Sequence, residues 1–214
     1  MELSELAKNI SIIIAALTLM SGIRAWKREY IGKRKVELAE DTLMLFYQAR
    51  DAIRDIRNPF GRIGEGSIRQ KASNETESET ELLNRAYVAY ERYQKHEEVF
   101  NKLQSTRYRF MARFGRENEA PFIELNKIVN DIFISAHMLG TYYWQRQGRV
   151  EMKGEEFKKH LDEMHEQESV FWFQGEERDK IGPRVENVIK QIENITKTTL
   201  DERDVWFKEL FKKG

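Results

Sequence analysis

The sequence predicts an all-α fold in which an N-terminal transmembrane helix continues into an antiparallel helical bundle. The 214 residues are 40% hydrophobic and 34% charged, with only 3 Pro and 12 Gly, and this balance favours long helices with solvated outer faces. Apolar residues also recur at steps of three and four over most of the chain. The length suits one domain plus an anchor, so we assign residues 1–26 to the anchor and 27–214 to a cytosolic bundle.

The predicted anchor centres on residues 9–23, fifteen residues without a charge between Lys8 and Arg24. At ~1.5 Å per residue this core covers ~22 Å, whereas residues 3–26 cover ~36 Å and exceed a hydrocarbon layer of ~30 Å. A buried core helix and a helix lying flat in the interface are the alternatives, and we favour a span. The predicted membrane-facing residues are Ile10, Ile13, Ile14, Leu17, Met20, Ile23 and Trp26.

A basic flank follows the anchor on its C-terminal side. Its cations, which we expect to contact anionic lipid, are Arg24, Lys27, Arg28, Lys33, Arg34 and Lys35. The N-terminal side carries Glu2, Glu5 and Lys8 instead, so the positive-inside rule predicts a short external N-terminus and a cytoplasmic body. A cleaved signal peptide is disfavoured, because its positive region would precede the apolar stretch.

Small residues recur along one face of the predicted anchor, at Ser11, Ala15, Thr18 and Gly22. Small residues let membrane helices approach closely, so this face is a candidate surface for homo-oligomerisation. Such residues are also common in membrane helices that do not associate, which leaves the hypothesis open.

The remaining elements follow from periodicity and from turn residues. The first helix should run without a break to about Arg57, and 58–76, rich in Gly and Ser, should form a mobile loop. A second helix should begin between Glu75 and Glu81 and end at Phe114, before Gly115. Later helices are predicted from Pro121 to about Gln147, around Phe157 to Phe171, from Pro183, and over a short terminal segment from Trp206 to Phe211.

Two patterns in the sequence resemble ligand sites. The segment 61–67, GRIGEGS, has the close glycines of a phosphate-binding loop but lacks the Gly-Lys-Ser/Thr ending and follows a helix, so we expect an ordinary loop. Glu156 with His160, and Asp162 with His165, can each share a helix face, which makes His160 and His165 weak metal candidates. A bundle metal centre needs a matching pair on a second helix, so exposed histidines are the expected outcome.

One histidine differs from the others. His137 lies in the most apolar predicted helix, and we expect it to be buried and hydrogen-bonded. Two aromatic triplets, residues 142–144 and 171–173, are expected to pack in the core rather than to stack on bases.

Several classes of function are disfavoured. Lys and Arg together number 36, as do Asp and Glu, so the chain has no net field for nucleic acid. With no Cys, it has no disulfide, Cys-ligated zinc or thiol nucleophile, and this fits a reducing compartment. No G-x-S-x-G nucleophile motif occurs either. We therefore predict no catalytic residue and no cofactor.

The segments 24–30 (RAWKREY), 53–61 (IRDIRNPFG) and 183–186 (PRVE) resemble uncharacterised bacterial proteins in which an anchor precedes a set of helices. The resemblance covers about half of the chain and implies no function. It implies a bacterial, membrane-tethered helical protein, and with the predicted orientation a single-pass protein of the inner membrane.

The leading functional hypothesis is a membrane-anchored cytosolic scaffold, adaptor or sensor that acts by binding protein. The alternatives are a helical-bundle metalloenzyme that uses Glu156, His160, Asp162 or His165, and a homo-oligomeric membrane-active protein.

Overall fold

The computed structural model describes residues 2–211, including the side chains of residue 8 and of residues 11–201. All regular elements in this part of the chain are helical, and it contains no strand, which confirms the predicted all-α class. The helices are α1 (Glu2–Ile56), α2 (Glu77–Phe114), α3 (Ala120–Met138), the one-turn α4 (Trp144–Arg146), α5 (Glu155–Phe171) and α6 (Gly182–Phe211). A 3₁₀ turn (Arg116–Glu119) precedes α3, and a π-helical turn (Leu139–Tyr143) joins α3 to α4.

The observed helix ends agree with the turn and cap residues of the sequence. At the start of α2 the Thr76 hydroxyl accepts the Glu79 N–H, while the Glu79 carboxylate accepts the Thr76 N–H. This capping box satisfies two backbone donors at once and fixes where the helix begins. The helix ends at Phe114, before Gly115, as predicted.

The last helix differs from the prediction. We expected a separate short helix from Trp206 to Phe211, but α6 runs unbroken from Gly182 to Phe211. No Gly or Pro follows Pro183 within it, so nothing in the sequence forces a break. The side chains beyond residue 201 lie outside the described ones.

The chain divides into two compact units. Unit 1 comprises residues 1–41 and 198–214, and unit 2 comprises residues 42–197. The division between residues 41 and 42 falls within α1, which is a single continuous helix.

Unit 2 is a helical bundle in which three pairs of packed helices run antiparallel. In each of these pairs, later residues of one helix contact earlier residues of the other. The contacts are Tyr93–Phe133 and Phe110–Phe122 between α2 and α3, Ser135–Gln167 and Tyr143–Glu163 between the α3–π segment and α5, and Tyr47–Glu193 and Arg54–Glu186 between α1 and α6.

The core of unit 2 is formed by the apolar faces of these helices. Its largest apolar side chains with under 2% exposure are Phe46, Phe110, Phe122, Ile53, Ile128, Ile132, Leu139, Ile181, Val188 and Ile192. Each such side chain contributes about 1.5–3 kcal/mol by leaving water, so this core stabilises the bundle.

The π-helical turn packs closely on α2. A Cβ at Gly140 would lie 2.6 Å from the Ala86 Cβ, so only glycine allows this approach. The predicted helix from Pro121 to Gln147 therefore has nearly the right extent but is interrupted by a π turn that the apolar periodicity does not reveal.

Candidate functional site

Unit 1 exposes an extended apolar surface on α1. Ile12, Leu17, Leu19 and Trp26 are 66%, 61%, 67% and 66% exposed, and every side chain from Ser11 to Arg34 is exposed. Successive helical residues point about 100° apart, so this surface surrounds the helix rather than forming one stripe. Large contiguous apolar surfaces of this kind mark contact with a membrane or with another protein.

The predicted membrane-facing residues lie on this surface where they are described. Ile13, Ile14, Leu17, Met20, Ile23 and Trp26 are all exposed, and the side chain of Ile10 lies outside the described ones. Among the residues that were described, no helix is both long and apolar enough to cross a membrane. The predicted span 3–26 also contains residues 3–7, 9 and 10, whose side chains are not among the described ones.

An aromatic and basic face follows the apolar surface. The Trp26 and Tyr30 rings stack with centroids 5.7 Å apart, and the Arg34 Nε and Nη2 donate to the Tyr30 hydroxyl at 3.2 and 3.0 Å. This hydrogen bond raises the pKa of Arg34 above its ordinary value. The four-residue spacing aligns the three side chains on one helix face. Of the other predicted lipid-contacting cations, Arg24, Lys27, Arg28 and Lys33 are exposed and Lys35 is half-buried.

The predicted self-association face is also exposed in the isolated chain. Ser11, Ala15, Thr18 and Gly22 are all exposed, and a Cβ at Gly22 would meet nothing within 4 Å. A shallow recess of about 350 Å³ is lined by Thr18, Leu19, Gly22, Ile23 and Trp26. The face is thus accessible to a second helix, and association through it stays a prediction.

The structure does not bring the weak metal candidates together. Among the described residues, no three or more His, Asp or Glu side chains come together in a group that could hold a metal ion. His165, Glu156 and Asp162 are exposed, and Glu156 faces the Arg146 guanidinium at 3.8 Å. The metalloenzyme hypothesis therefore has no assembled ligand set to support it.

Two histidines differ from the prediction: we expected His160 to be exposed and His137 to be buried. His160 is only 5% exposed, with its ring centroid 5.7 Å from that of Tyr143, and its Nε2 has no hydrogen-bond partner among the described residues. His137 is exposed, although it lies in the most apolar helix. His160 lies on the face of α5 that also carries the buried side chains Met164 and Phe171, and this face packs into the bundle. Phe157, in the first turn of the same helix, remains 42% exposed.

The loop 58–76 is held at its base by a buried arginine on α2. The Arg92 guanidinium donates to the carbonyls of Asn58 and Phe60 at 2.6 and 2.8 Å and pairs with the Glu65 carboxylate at 2.7 Å. Arg92 and Glu65 are 5% and 6% exposed. Hydrogen bonding from Arg92 lowers the pKa of Glu65 to about 2. The predicted mobility of this loop stays a prediction.

The far side of the same loop is fixed to α2 as well. The Gly66 N–H donates to the Glu91 carboxylate at 2.6 Å, and a Cβ at Gly66 would lie 2.0 Å from the Asn84 carbonyl oxygen. The Arg69 guanidinium pairs with Glu75, and this bond lowers the pKa of Glu75 to about 2. Because carboxylates of the chain itself take up the Gly66 amide and the Arg62 amide, the GRIGEGS segment does not form a phosphate cradle.

The two aromatic triplets pack on each other, but only in part as core residues: Tyr143, Trp144 and Phe171 are buried, whereas Tyr142 and Phe173 are 41% and 43% exposed. The Trp144 ring lies edge-on to Phe171 at 5.7 Å and stacked on Trp172 at 5.6 Å, and its Nε1 donates to Glu168 at 2.9 Å. The Arg85 guanidinium lies 4.8 Å from the ring centres of both tryptophans. This cluster ties α2, α4 and the end of α5 together.

No protein-family model, no curated protein and no solved structure matches this chain.

Proposed function

We propose that this protein is a membrane-anchored helical protein that acts by binding other proteins, with the N-terminal part of α1 as its anchor. One observation carries the proposal: α1 exposes large apolar side chains around its whole circumference between Ile12 and Trp26. Leaving this surface in water is unfavourable, and transfer into lipid removes the cost at about 25 cal/mol per Å². The uncharged run begins at Asn9, and the proposed span extends it to residues 3–26.

The aromatic and basic flank supports the same assignment. Trp26 and Tyr30 have the amphipathic rings that concentrate at membrane interfaces, and Arg34 binds the Tyr30 hydroxyl at the polar end of that face. Lys and Arg are in excess on the C-terminal side of the proposed anchor. By the positive-inside rule this favours an anchor in the inner membrane with unit 2 on its cytoplasmic side.

The binding role, as scaffold, adaptor or sensor, is the second part of this proposal. The described residues contain no assembled metal group, and the buried ion pairs in unit 2 hold loops rather than line a cleft. Because α1 is continuous from Glu2 to Ile56, a change in the anchor has a covalent helical path into the bundle.

Cysteine labelling tests the topology directly, because the chain has no Cys of its own. A membrane-impermeant maleimide should label Glu2→Cys, which precedes the proposed span, in intact spheroplasts and should label Val150→Cys only after the membrane is permeabilised. Val150 is exposed, so a lack of labelling there in intact spheroplasts reports the membrane barrier and not burial. Labelling of Val150→Cys in intact spheroplasts would refute the proposed orientation.

The binding role is tested by purification from detergent-solubilised membranes. A defined protein that co-purifies in fixed ratio supports the proposal. A lone monomer that fractionates as a soluble protein contradicts it.

A further inference from the structure

The loop 58–76 presents three large apolar side chains to solvent. Phe60, Ile63 and Ile68 are 81%, 108% and 63% exposed. Among the described residues of unit 2, only Tyr108, at 68%, joins them as a large hydrophobic side chain exposed to 63% or more. The most exposed apolar side chains of this unit are therefore concentrated in residues 60–68.

Buried polar contacts hold the backbone that carries these side chains. The Glu65 carboxylate pairs with Arg92 at 2.7 Å and accepts the Arg62 N–H at 2.8 Å. Arg92 also donates to the Phe60 carbonyl at 2.8 Å, and the Gly66 N–H donates to a carboxylate of α2 at 2.6 Å. The backbone is thus organised while the apolar side chains stay outside the core. A surface that is already ordered loses less conformational entropy when it binds.

The outward charge of the loop is positive. Its two carboxylates, Glu65 and Glu75, are each paired with an arginine. Arg62 and Lys71 are exposed, and none of the ion pairs among the described residues includes either side chain. A binding partner therefore meets apolar side chains bordered by two cations.

We infer that this loop is the docking site for a protein whose surface has an apolar pocket bordered by Asp or Glu carboxylates. Phe60, Ile63 and Ile68 enter the pocket, while Arg62 and Lys71 pair with the carboxylates around it. Apolar anchors that are buried at the centre of a polar rim are the usual anatomy of a protein interface. The inference rests on the proposed binding role and names the surface that performs it.

Other occupants fit the loop less well. Residues 27–56 of the continuous helix α1 separate the proposed span from the start of the loop, so the anchor does not hold the loop against lipid. Two cations are few for nucleic acid, where affinity comes from many phosphate contacts. A symmetric contact between two copies of the loop would bring its like charges together.

Photocrosslinking in intact cells, with the full chain, tests the inference. The photoreactive residue p-benzoylphenylalanine replaces Ile63 in the loop, and in a separate chain it replaces Tyr108 on α2 as the matched exposed control. The protein that forms an adduct at position 63 is identified and purified. Its affinity for the full chain in mild detergent is then measured.

We expect an adduct with one other protein at position 63 and none at position 108. Phe60→Ala should weaken the measured affinity by about tenfold, as truncation of a buried anchor does. Arg62→Glu and Lys71→Glu should each weaken it by about fivefold, the effect of a well-placed exposed ion pair. Replacing the facing carboxylate of the partner by Lys should restore the affinity of Arg62→Glu, because the charges are then exchanged across the interface.

The unfolding midpoint of Arg62→Glu controls for the fold. It should equal that of the unchanged protein, since the Arg62 side chain is exposed and belongs to no ion pair among the described residues.

Four results overturn the inference. They are the absence of a protein adduct at position 63, an adduct with lipid or with a second copy of the chain, equal adducts at positions 63 and 108, and an affinity that the three variants leave unchanged. A protein that co-purifies with the chain but forms no adduct at position 63 supports the binding role and overturns only the loop as its site.

Discussion

The Arg57 guanidinium lies 2.8 Å from the Asp179 carboxylate, and the two side chains are only 4% and 8% exposed. The same guanidinium donates to the carbonyls of Ser169 and Val170 at 2.8 and 2.9 Å, and the Arg57 carbonyl accepts the Phe173 N–H at 2.9 Å. One arginine thus joins the end of α1 to the segment that follows α5. Burial lowers the pKa of Arg57, and Asp179 acts in the opposite direction.

Replacing Asp179 by Asn should destabilise unit 2 strongly. It leaves the Arg57 charge buried without its partner, which costs about 3–5 kcal/mol of unfolding free energy. Urea unfolding in mild detergent measures the loss. Glu186→Gln is the control, because it removes the partner of Arg54 in a pair that is 66% and 45% exposed and should cost at most ~1 kcal/mol. Similar losses in the two variants would contradict the assigned role of the buried pair.

Glu65 should make the stability of unit 2 depend on pH in the acid range. Its folded pKa is about 2, against 4.5 in the unfolded chain, so the unfolded state binds more protons between these values. The stabilisation is therefore complete above about pH 5 and is lost as the pH falls towards 2. Urea unfolding between these limits should show a shallower pH dependence for Glu65→Gln than for the unchanged protein. Identical slopes would show that Glu65 contributes nothing.

Gly140→Ala should weaken the contact between the π turn and α2. The new Cβ would meet the Ala86 Cβ at 2.6 Å, and overpacking of this kind costs about 1–3 kcal/mol. Thermal unfolding measures the loss, and Ala86→Gly in the same chain should restore part of it. Gly61→Ala, where a Cβ meets nothing within 4 Å, is the control and should change little. An unchanged midpoint for Gly140→Ala would rule out the close approach.

Helix self-association should depend on the small-residue face of α1. Replacing Ala15 and Gly22 by Leu covers that face and should reduce the signal in a membrane two-hybrid assay several-fold. Ile12→Leu, a position off the face, serves as the control. Undiminished association of the Ala15 and Gly22 variant would eliminate this surface.

The helices of this protein could be predicted from the sequence to a large extent. The capping residues of α2, the glycine after Phe114 and the proline near the start of α6 mark boundaries that local chemistry determines. The π turn at Leu139–Tyr143 was missed because it depends on the close packing of Gly140 against Ala86, which is a tertiary contact.

The buried polar groups could not be predicted in the same way. Arg57 and Arg92 occur in a chain rich in exposed arginines, and only the fold places carbonyls and a carboxylate around each of them. We predicted an exposed His160 and a buried His137, and both predictions were wrong. The burial of each residue depends on which side of its helix faces the neighbouring helices. Apolar periodicity indicates that side only approximately.

The apolar surface of α1 was the simplest feature to predict, since a long uncharged run is a property of the sequence itself. Its exposure is the observation on which the proposed anchoring depends.

Carbonate extraction of membranes tests the anchoring most directly. The unchanged protein should stay in the membrane pellet, whereas a chain with Ile14→Lys and Leu17→Lys should be released, because charges at the bilayer centre are costly. Met44→Lys, at an exposed apolar position of unit 2, should behave like the unchanged protein. Release of the unchanged protein into the carbonate supernatant would contradict the proposed anchor.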